Sequence, residues 1–280
     1  MRLLSWNVQW CRGLDGRVDP ARIAAEARRL ADPDVMCFQE IAAGFSDLPG
    51  SRGEDQVQAL QSELPEYACA FACGVDIPGA RSSRKLFGNL IISRLPVRRV
   101  LRHSLPWPAA PDSPSMPRVA LEAEIESPIG VLRVITTHLE YYSAEHRRAQ
   151  VERLRELHAE ASAHSRWTAG SGYRPLDSPP RPAAAILCGD FNLRPDDPLH
   201  ARLPGPFNDR APRFVDAWQA LHPREPHPST FRIHERDHGE SPYCCDFLFV
   251  TEDLVPRLRA MRVDGATQAS DHQPLMVELD

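Results

Sequence analysis

Eight short apolar or alternating runs constrain this chain more than any other feature. They span residues 2–8 (RLLSWNV), 34–38 (DVMCF), 87–93 (FGNLIIS), 119–125 (VALEAEI), 131–137 (VLRVITT), 184–188 (AAILC), 246–250 (DFLFV) and 274–279 (PLMVEL). Runs of this length and pattern read as strands. Between the first two lies DPARIAAEARRL, where Asp19 can cap a helix, Pro20 fits its first turn, and Ile23, Ala27 and Leu30 recur at helical spacing. A second helix is predicted after Ser143, with Val151, Leu154, Leu157 and Ala161 forming an apolar stripe that should face a sheet. Many strands, few helices and a hairpin-like pair at 119–125 and 131–137 favour an α/β fold of two packed mixed sheets flanked by helices. The Pro-, Gly- and Ser-rich stretches 103–117 and 164–182 read as surface loops, and without internal repeats a single domain over 1–280 is the simplest division.

Composition narrows the setting. Hydrophobic residues make up 42% of the 280 and charged ones 25%, as in a globular protein with a sizeable core. The opening MRLLSWNVQW resembles neither a signal peptide nor a membrane span, so the cytoplasm is the expected compartment. Seven cysteines, an odd number with no CxxC spacing and with Cys244 beside Cys245, are expected to be reduced, and no Cys or His pair is spaced like a structural zinc set. A net charge of −5 gives no global attraction to nucleic acid. Lys85 is the only lysine; the remaining positive charge is arginine.

Polar residues able to bind metal or phosphate recur where these strands end: Asn7, Glu40, His138, Asp190 with Asn192, and Asp271 with His272. Each alone has a plainer explanation, as a turn former or a solvated cap. GDFN at 189–192 is more specific, because residues two apart on an extended segment face the same way, so Asp190 and Asn192 can share a site while Phe191 turns aside. A carboxylate there can bind or deprotonate water, and the neighbouring amide can hold that water or a phosphate oxygen. In SDH at 270–272, Pro274 prevents a helix and fixes an acid beside an imidazole. Asp246 is the candidate to set the tautomer of His272.

Taken in order, SWN, FQE, TTHLE, GDFN, the Asp-initiated DFLFV strand and SDH resemble the endonuclease/exonuclease/phosphatase superfamily, which includes deoxyribonuclease I and exonuclease III. The likeness runs from Asn7 to His272 and implies a four-layer sandwich and a metal-dependent phosphoester hydrolase. It implies that Glu40 binds the divalent ion, that Asn7 supports metal and phosphate, and that Asp271 joins them at the metal. Asp190 would activate or orient the attacking water with Asn192 beside it, His138 would contact the phosphate, and His272 would be held by Asp246. The proton path is left open. Hard oxygen ligands of this kind suit Mg²⁺ or Mn²⁺.

Two departures qualify the likeness. Exonuclease III-like members often carry an aspartate two residues after the first asparagine, where this chain has Gln9, which puts a second ligand on that side in doubt. THLE followed by a helix with Arg147, Arg148 and Gln150 looks more like the branch of 5′-tyrosyl-DNA phosphodiesterases and deadenylases.

Arg81, Arg84, Lys85 and Arg118 are candidate phosphate grips, and Trp107, Trp167 and Tyr173 candidate base-stacking residues. Three functions remain in play: a nuclease or nucleic-acid end-processing phosphodiesterase; a phosphatase or phosphodiesterase acting on a small molecule or lipid head group; and a non-catalytic binding module. The first is preferred, with a phosphoester substrate for which DNA and RNA are candidates, no membrane span, and a monomer favoured while the sequence leaves the oligomeric state open. A basic track into the site would separate the first from the second.

Overall fold

All eight predicted runs form strands, and four more strands join them. The computed structural model describes residues 1–166, 179–207, 210–234 and 241–280, with the side chain of Arg81 excluded; Trp167 and Tyr173 lie outside the described residues. In chain order the elements begin β1 (Arg2–Asn7), α1 (Pro20–Ala31), β2 (Val35–Ala43), α2 (Gln56–Glu63), β3 (Ala68–Pro78), β4 (Arg84–Ser93), β5 (Val97–Ser104) and β6 (Val119–Ser127). They continue with β7 (Gly130–His138), α3 (Ala144–Ser165), β8 (Ala185–Asp190), α4 (Pro198–Arg202), β9 (Phe214–Asp216), α5 (Ala217–Leu221), β10 (Asp246–Thr251), β11 (Leu258–Val263) and β12 (Leu275–Leu279).

The strands form two six-stranded mixed sheets, ordered β11-β12-β1-β2-β4-β3 and β5-β6-β7-β8-β10-β9. Each sheet centres on a parallel pair, β1 with β2 and β7 with β8, and its other pairings are antiparallel. A parallel pair needs a crossover, supplied here by α1 and α3. As expected, Asp19 caps α1 by accepting from the Arg22 amide at 3.0 Å, with Pro20 next to it. Ser143 likewise accepts from the His146 amide at 3.3 Å to start α3.

Three apolar layers hold the four structural ones together. Leu3, Cys37 and Ile91 from the first sheet meet Leu121, Val134 and Leu248 from the second between the sheets. Behind the first sheet, Ile23 and Ala27 of α1 and Leu60 of α2 cover Trp6, Phe38 and Leu90. Behind the second, Val151 and Leu154 of α3 cover Leu187 and Phe247. Polar bonds also cross the central layer, among them Gln39 Nε2 to Thr136 Oγ1 at 2.8 Å and Asn89 Nδ2 to the Val119 carbonyl at 2.9 Å. All seven cysteines are free, and no helix among the described residues is long and apolar enough to cross a membrane.

A buried charge cluster braces the second sheet. Both Glu122 oxygens accept from Arg181 at 2.9 Å, while Arg133 and His103 approach at 3.6 and 3.4 Å. Burial alone would raise the Glu122 pKa, but His103, Arg133 and Arg181 outweigh it and hold the group at about 2. The unfolded chain therefore takes up this proton near pH 4.5, well before the folded one. The stability from this group is complete above pH 4.5 and is lost as the pH falls towards 2, on the order of 3 kcal/mol in all. We expect Glu122→Gln to be less stable than the parent at pH 7 in urea, with a deficit that narrows at pH 3. A deficit independent of pH would remove the ionic explanation.

Candidate active site

The site lies where the central parallel strands end. Asn7 closes β1, His138 closes β7, Asp190 closes β8, and Asp246 opens the antiparallel β10. Strand register places Asp190 opposite both His138 and Asp246. Glu40 arrives differently, inside β2 at a bulge between Phe38 and Ile41, with a left-handed φ of 60°. Asn192 and Gln9 also have positive φ, at 50° and 47°. Such conformations are costly for residues with side chains and persist where the surroundings impose them.

Gly189 sits at a tight backbone approach beside the site. Its φ is +137°, and a Cβ there would lie 1.9 Å from the Thr137 carbonyl oxygen on the paired strand. Gly189→Ala is expected to cost at least about 3 kcal/mol in a denaturation experiment, from backbone strain added to overpacking. Unchanged stability would mean that β7 and β8 are not this close.

These termini bring side chains together from both sheets. Asn7 Nδ2 donates to Glu40 Oε1 at 3.1 Å and to Asp190 Oδ2 at 3.0 Å, while its Oδ1 accepts from the Gln9 amide. His138 Nε2 lies 3.4 Å from Asp190 Oδ2, with His272 Nε2 at 3.7 Å from the same oxygen. His272 Nδ1 is 2.9 Å from Asp246 Oδ2, which also accepts from Thr230 Oγ1 at 2.6 Å. Asp190 Oδ1 accepts from the Asn192 amide, and Asn192 Nδ2 donates to the Leu139 carbonyl.

Gln9, the residue that departs from the family pattern, donates to Asp271 Oδ2 at 2.7 Å. It occupies the site as a brace for a carboxylate. A cavity of about 600 Å³ opens above this set, bordered by Gln9, Glu40, His138, Asp190, Asn192, Asp271 and His272. Asn7 and Asp246 are buried beneath it.

The two histidines are shifted in opposite directions. Burial, Arg118 and His272 push the His138 pKa well down. Burial would also lower His272, but Asp246, Asp190 and Asp271 outweigh it and push its pKa well up. The acids are pushed upward, Glu40 to about 7 by burial and Asp271, and Asp190 to about 6 by burial and Asp246.

Crowded carboxylates that resist ionisation are what a bound cation would relieve, and their oxygens suit a hard divalent ion. Glu40 and Asp271 both border the cavity. Asn7 presents its N–H groups to Glu40 and Asp190, which makes it a support for the acids. Asp190, Cys245 and His272 also offer ligand atoms within 4.8 Å of one another, as do His200, Asp216 and His227 elsewhere. In that second group one Asp216 oxygen accepts from both histidines at 2.9 Å, tying down the segment that leads to Thr230.

The candidate substrate residues separate. Arg118 is buried against the cavity, 3.5 Å from Glu140, and its Nε and Nη1 donate no hydrogen bond within the described structure. Arg84 pairs with Asp76 and Lys85 with Asp47, and neither borders the cavity. Trp107 donates to Ser115 within its own loop and is also outside the cavity. Arg147 donates to the Glu140 and Tyr141 carbonyls, and Gln150 accepts from the Glu140 amide, so the residues that resemble one branch of the superfamily anchor the loop after His138.

Two contributors were missed. Glu140 stands inside the TTHLE motif two residues from His138, a signal that was available. Thr230 lies in a Pro-rich segment with no pattern to mark it.

A two-sheet sandwich whose central strands end on buried acids, amides and histidines defines the class, and the sequence agrees: the chain belongs to the Endonuclease/Exonuclease/phosphatase family, whose model matches residues 4–272. The solved endonuclease/exonuclease/phosphatase from Bacteroides vulgatus is 17% identical, with a TM-score of 0.68 over 100% of this chain and 98% of that one. TDP2 of D. rerio, complexed with single strand DNA product, is 20% identical at a TM-score of 0.66, covering 100% and 98%. The mannosyl-6-phosphatase of Bacteroides thetaiotaomicron VPI-5482 is 16% identical at 0.64, covering 100% and 99%. No curated protein gives a significant match. Identities this low establish the shared fold and leave the substrate to the site itself.

Proposed function

We propose that this protein is a divalent-metal-dependent phosphodiesterase. The observation that carries the reading is the convergence of Glu40, His138, Asp190 and His272 on one cavity from opposite sheets, with Asn7 beneath them bonded to Glu40 and Asp190. Mg²⁺ or Mn²⁺, held by Glu40 and Asp271, would polarise the phosphate and offset its growing charge.

The chain's own groups account for the rest. Arg118, which borders the cavity beside Glu140, would offer its guanidinium to one phosphate oxygen, and His138, whose pKa is pushed well down, would hydrogen-bond another. Asp190, held by the Asn7 amide and the Asn192 backbone, orients water and accepts its proton at a carboxylate oxygen. A pKa of about 6 suits that exchange near neutrality. His272, with Nδ1 fixed by Asp246, keeps its Nε2 proton for the phosphoryl or leaving oxygen.

The DNA product bound to the TDP2 relative favours a nucleic-acid end as substrate. The pairing of Arg84 and Lys85 with acids favours a small phosphoester. Hydrolysis of bis(4-nitrophenyl) phosphate with Mg²⁺ tests the reading common to both. His272→Ala is expected to lower turnover about 10²- to 10³-fold, as loss of a well-placed donor does. Full activity in that variant would overturn the proposal.

A further inference from the structure

The cavity has two unlike halves. Its floor carries the acids, the histidines and Arg118, whereas its wall is apolar, built from half-buried Trp10, Phe45, Phe87 and Met116. Four large hydrophobic residues are exposed among the described residues: Ile77 at 43%, Trp107 at 53%, Tyr141 at 42% and Tyr142 at 62%. All but Trp107 border this cavity. Apolar surface left in water is unfavourable, and its concentration beside a polar floor marks contact with a ligand.

The wall is also prepared in advance. Tyr141 and Tyr142 stand edge to face with ring centres 4.9 Å apart. Glu140 accepts from the Tyr142 amide, and Arg147 of α3 donates to the Tyr141 carbonyl.

Charge points the same way. Arg118 is the only lysine or arginine among the described residues that border the cavity. A polynucleotide groove needs several cations along the backbone path, and the neighbouring Arg84 and Lys85 are each matched by an acid. The volume, about 600 Å³, suits a compact ligand rather than a polymer.

We propose that the wall formed by Trp10, Phe45, Ile77, Phe87, Tyr141 and Tyr142 is a subsite for an aromatic group, and that the substrate is a small phosphodiester bearing an aryl group or a nucleobase. The assignment rests on the phosphoesterase reading only for the phosphate-binding floor. Rings stack on or edge-contact such a wall without needing charge.

Non-hydrolysable phosphonates test it in the full chain with Mg²⁺, by titration calorimetry. Phenylphosphonate and 1-naphthylphosphonate are expected to bind about tenfold or more tighter than methylphosphonate, as one buried ring permits. The advantage should shrink in the doubly substituted Ile77→Ser, Tyr142→Ala variant, whose changes are at exposed positions. A nucleoside phosphonate compared with the naphthyl compound separates the two sources of the ring.

Equal affinity for methyl and aryl compounds would overturn the subsite. So would tighter binding of decylphosphonate, or of a single-stranded oligonucleotide with steep salt dependence. Turnover of bis(4-nitrophenyl) phosphate is measured separately. Its absence with aryl preference intact removes the activity but not the subsite, and its presence with no aryl preference does the reverse.

Discussion

Asp190→Asn will hydrolyse bis(4-nitrophenyl) phosphate about 10³-fold more slowly than the parent, yet melt no lower. The loss follows from removing a proton acceptor while leaving an isosteric amide, an exchange worth about 10²- to 10⁴-fold. The stability follows from the direction of the pKa. Folding raises Asp190 from 3.8 to about 6, through burial first and Asp246 second. The unfolded chain thus ionises at lower pH than the folded one, so stability falls as the pH rises from about 4 to about 6 and stays reduced above that. An amide carries no such cost at pH 7. A variant that is both inactive and much less stable would assign Asp190 a structural role.

Chelation will abolish turnover, and Mg²⁺ or Mn²⁺ will restore it and raise the melting temperature of the chelated protein. A ligand at one hundred times its dissociation constant adds about 2.7 kcal/mol. Crowding among Glu40, Asp271 and Asp190 is what the cation relieves, so the gain is expected to disappear in Glu40→Gln. It will also weaken as the pH falls through about 7, because a proton on Glu40 competes with the metal. Turnover that persists in chelator, with no metal-induced stabilisation, would remove the metal from the reading.

The parts of the fold that the sequence left unread share a position. β3, β5, β9 and β11 are the four outer strands of the two sheets: β5 and β11 are broken by arginines, β9 has three residues, and β3 carries an apolar ACAFAC that the reading passed over. A central strand here is covered on both faces and must be apolar, as in LIIS of β4 or AILC of β8. An outer strand has less to bury and gains from charge that discourages further pairing, as Arg98, Arg99 and Arg102 illustrate in β5.

The candidate site was legible for the same geometric reason. Asn7, His138 and Asp190 end central strands, so an apolar run delivers each one in sequence. Contacts through space carried no such mark. Nothing local distinguishes Arg118, which faces the cavity, from Arg84, which an acid eight residues earlier neutralises. Thr230 reaches Asp246 from a segment whose composition says only that it turns.

The Asn7 side chain, rooted in one sheet, bonds to Asp190 in the other. Neither half of the sandwich therefore holds the candidate site by itself; it exists only along the seam. Sliding one half against the other by an ångström would silence the molecule with every strand still intact.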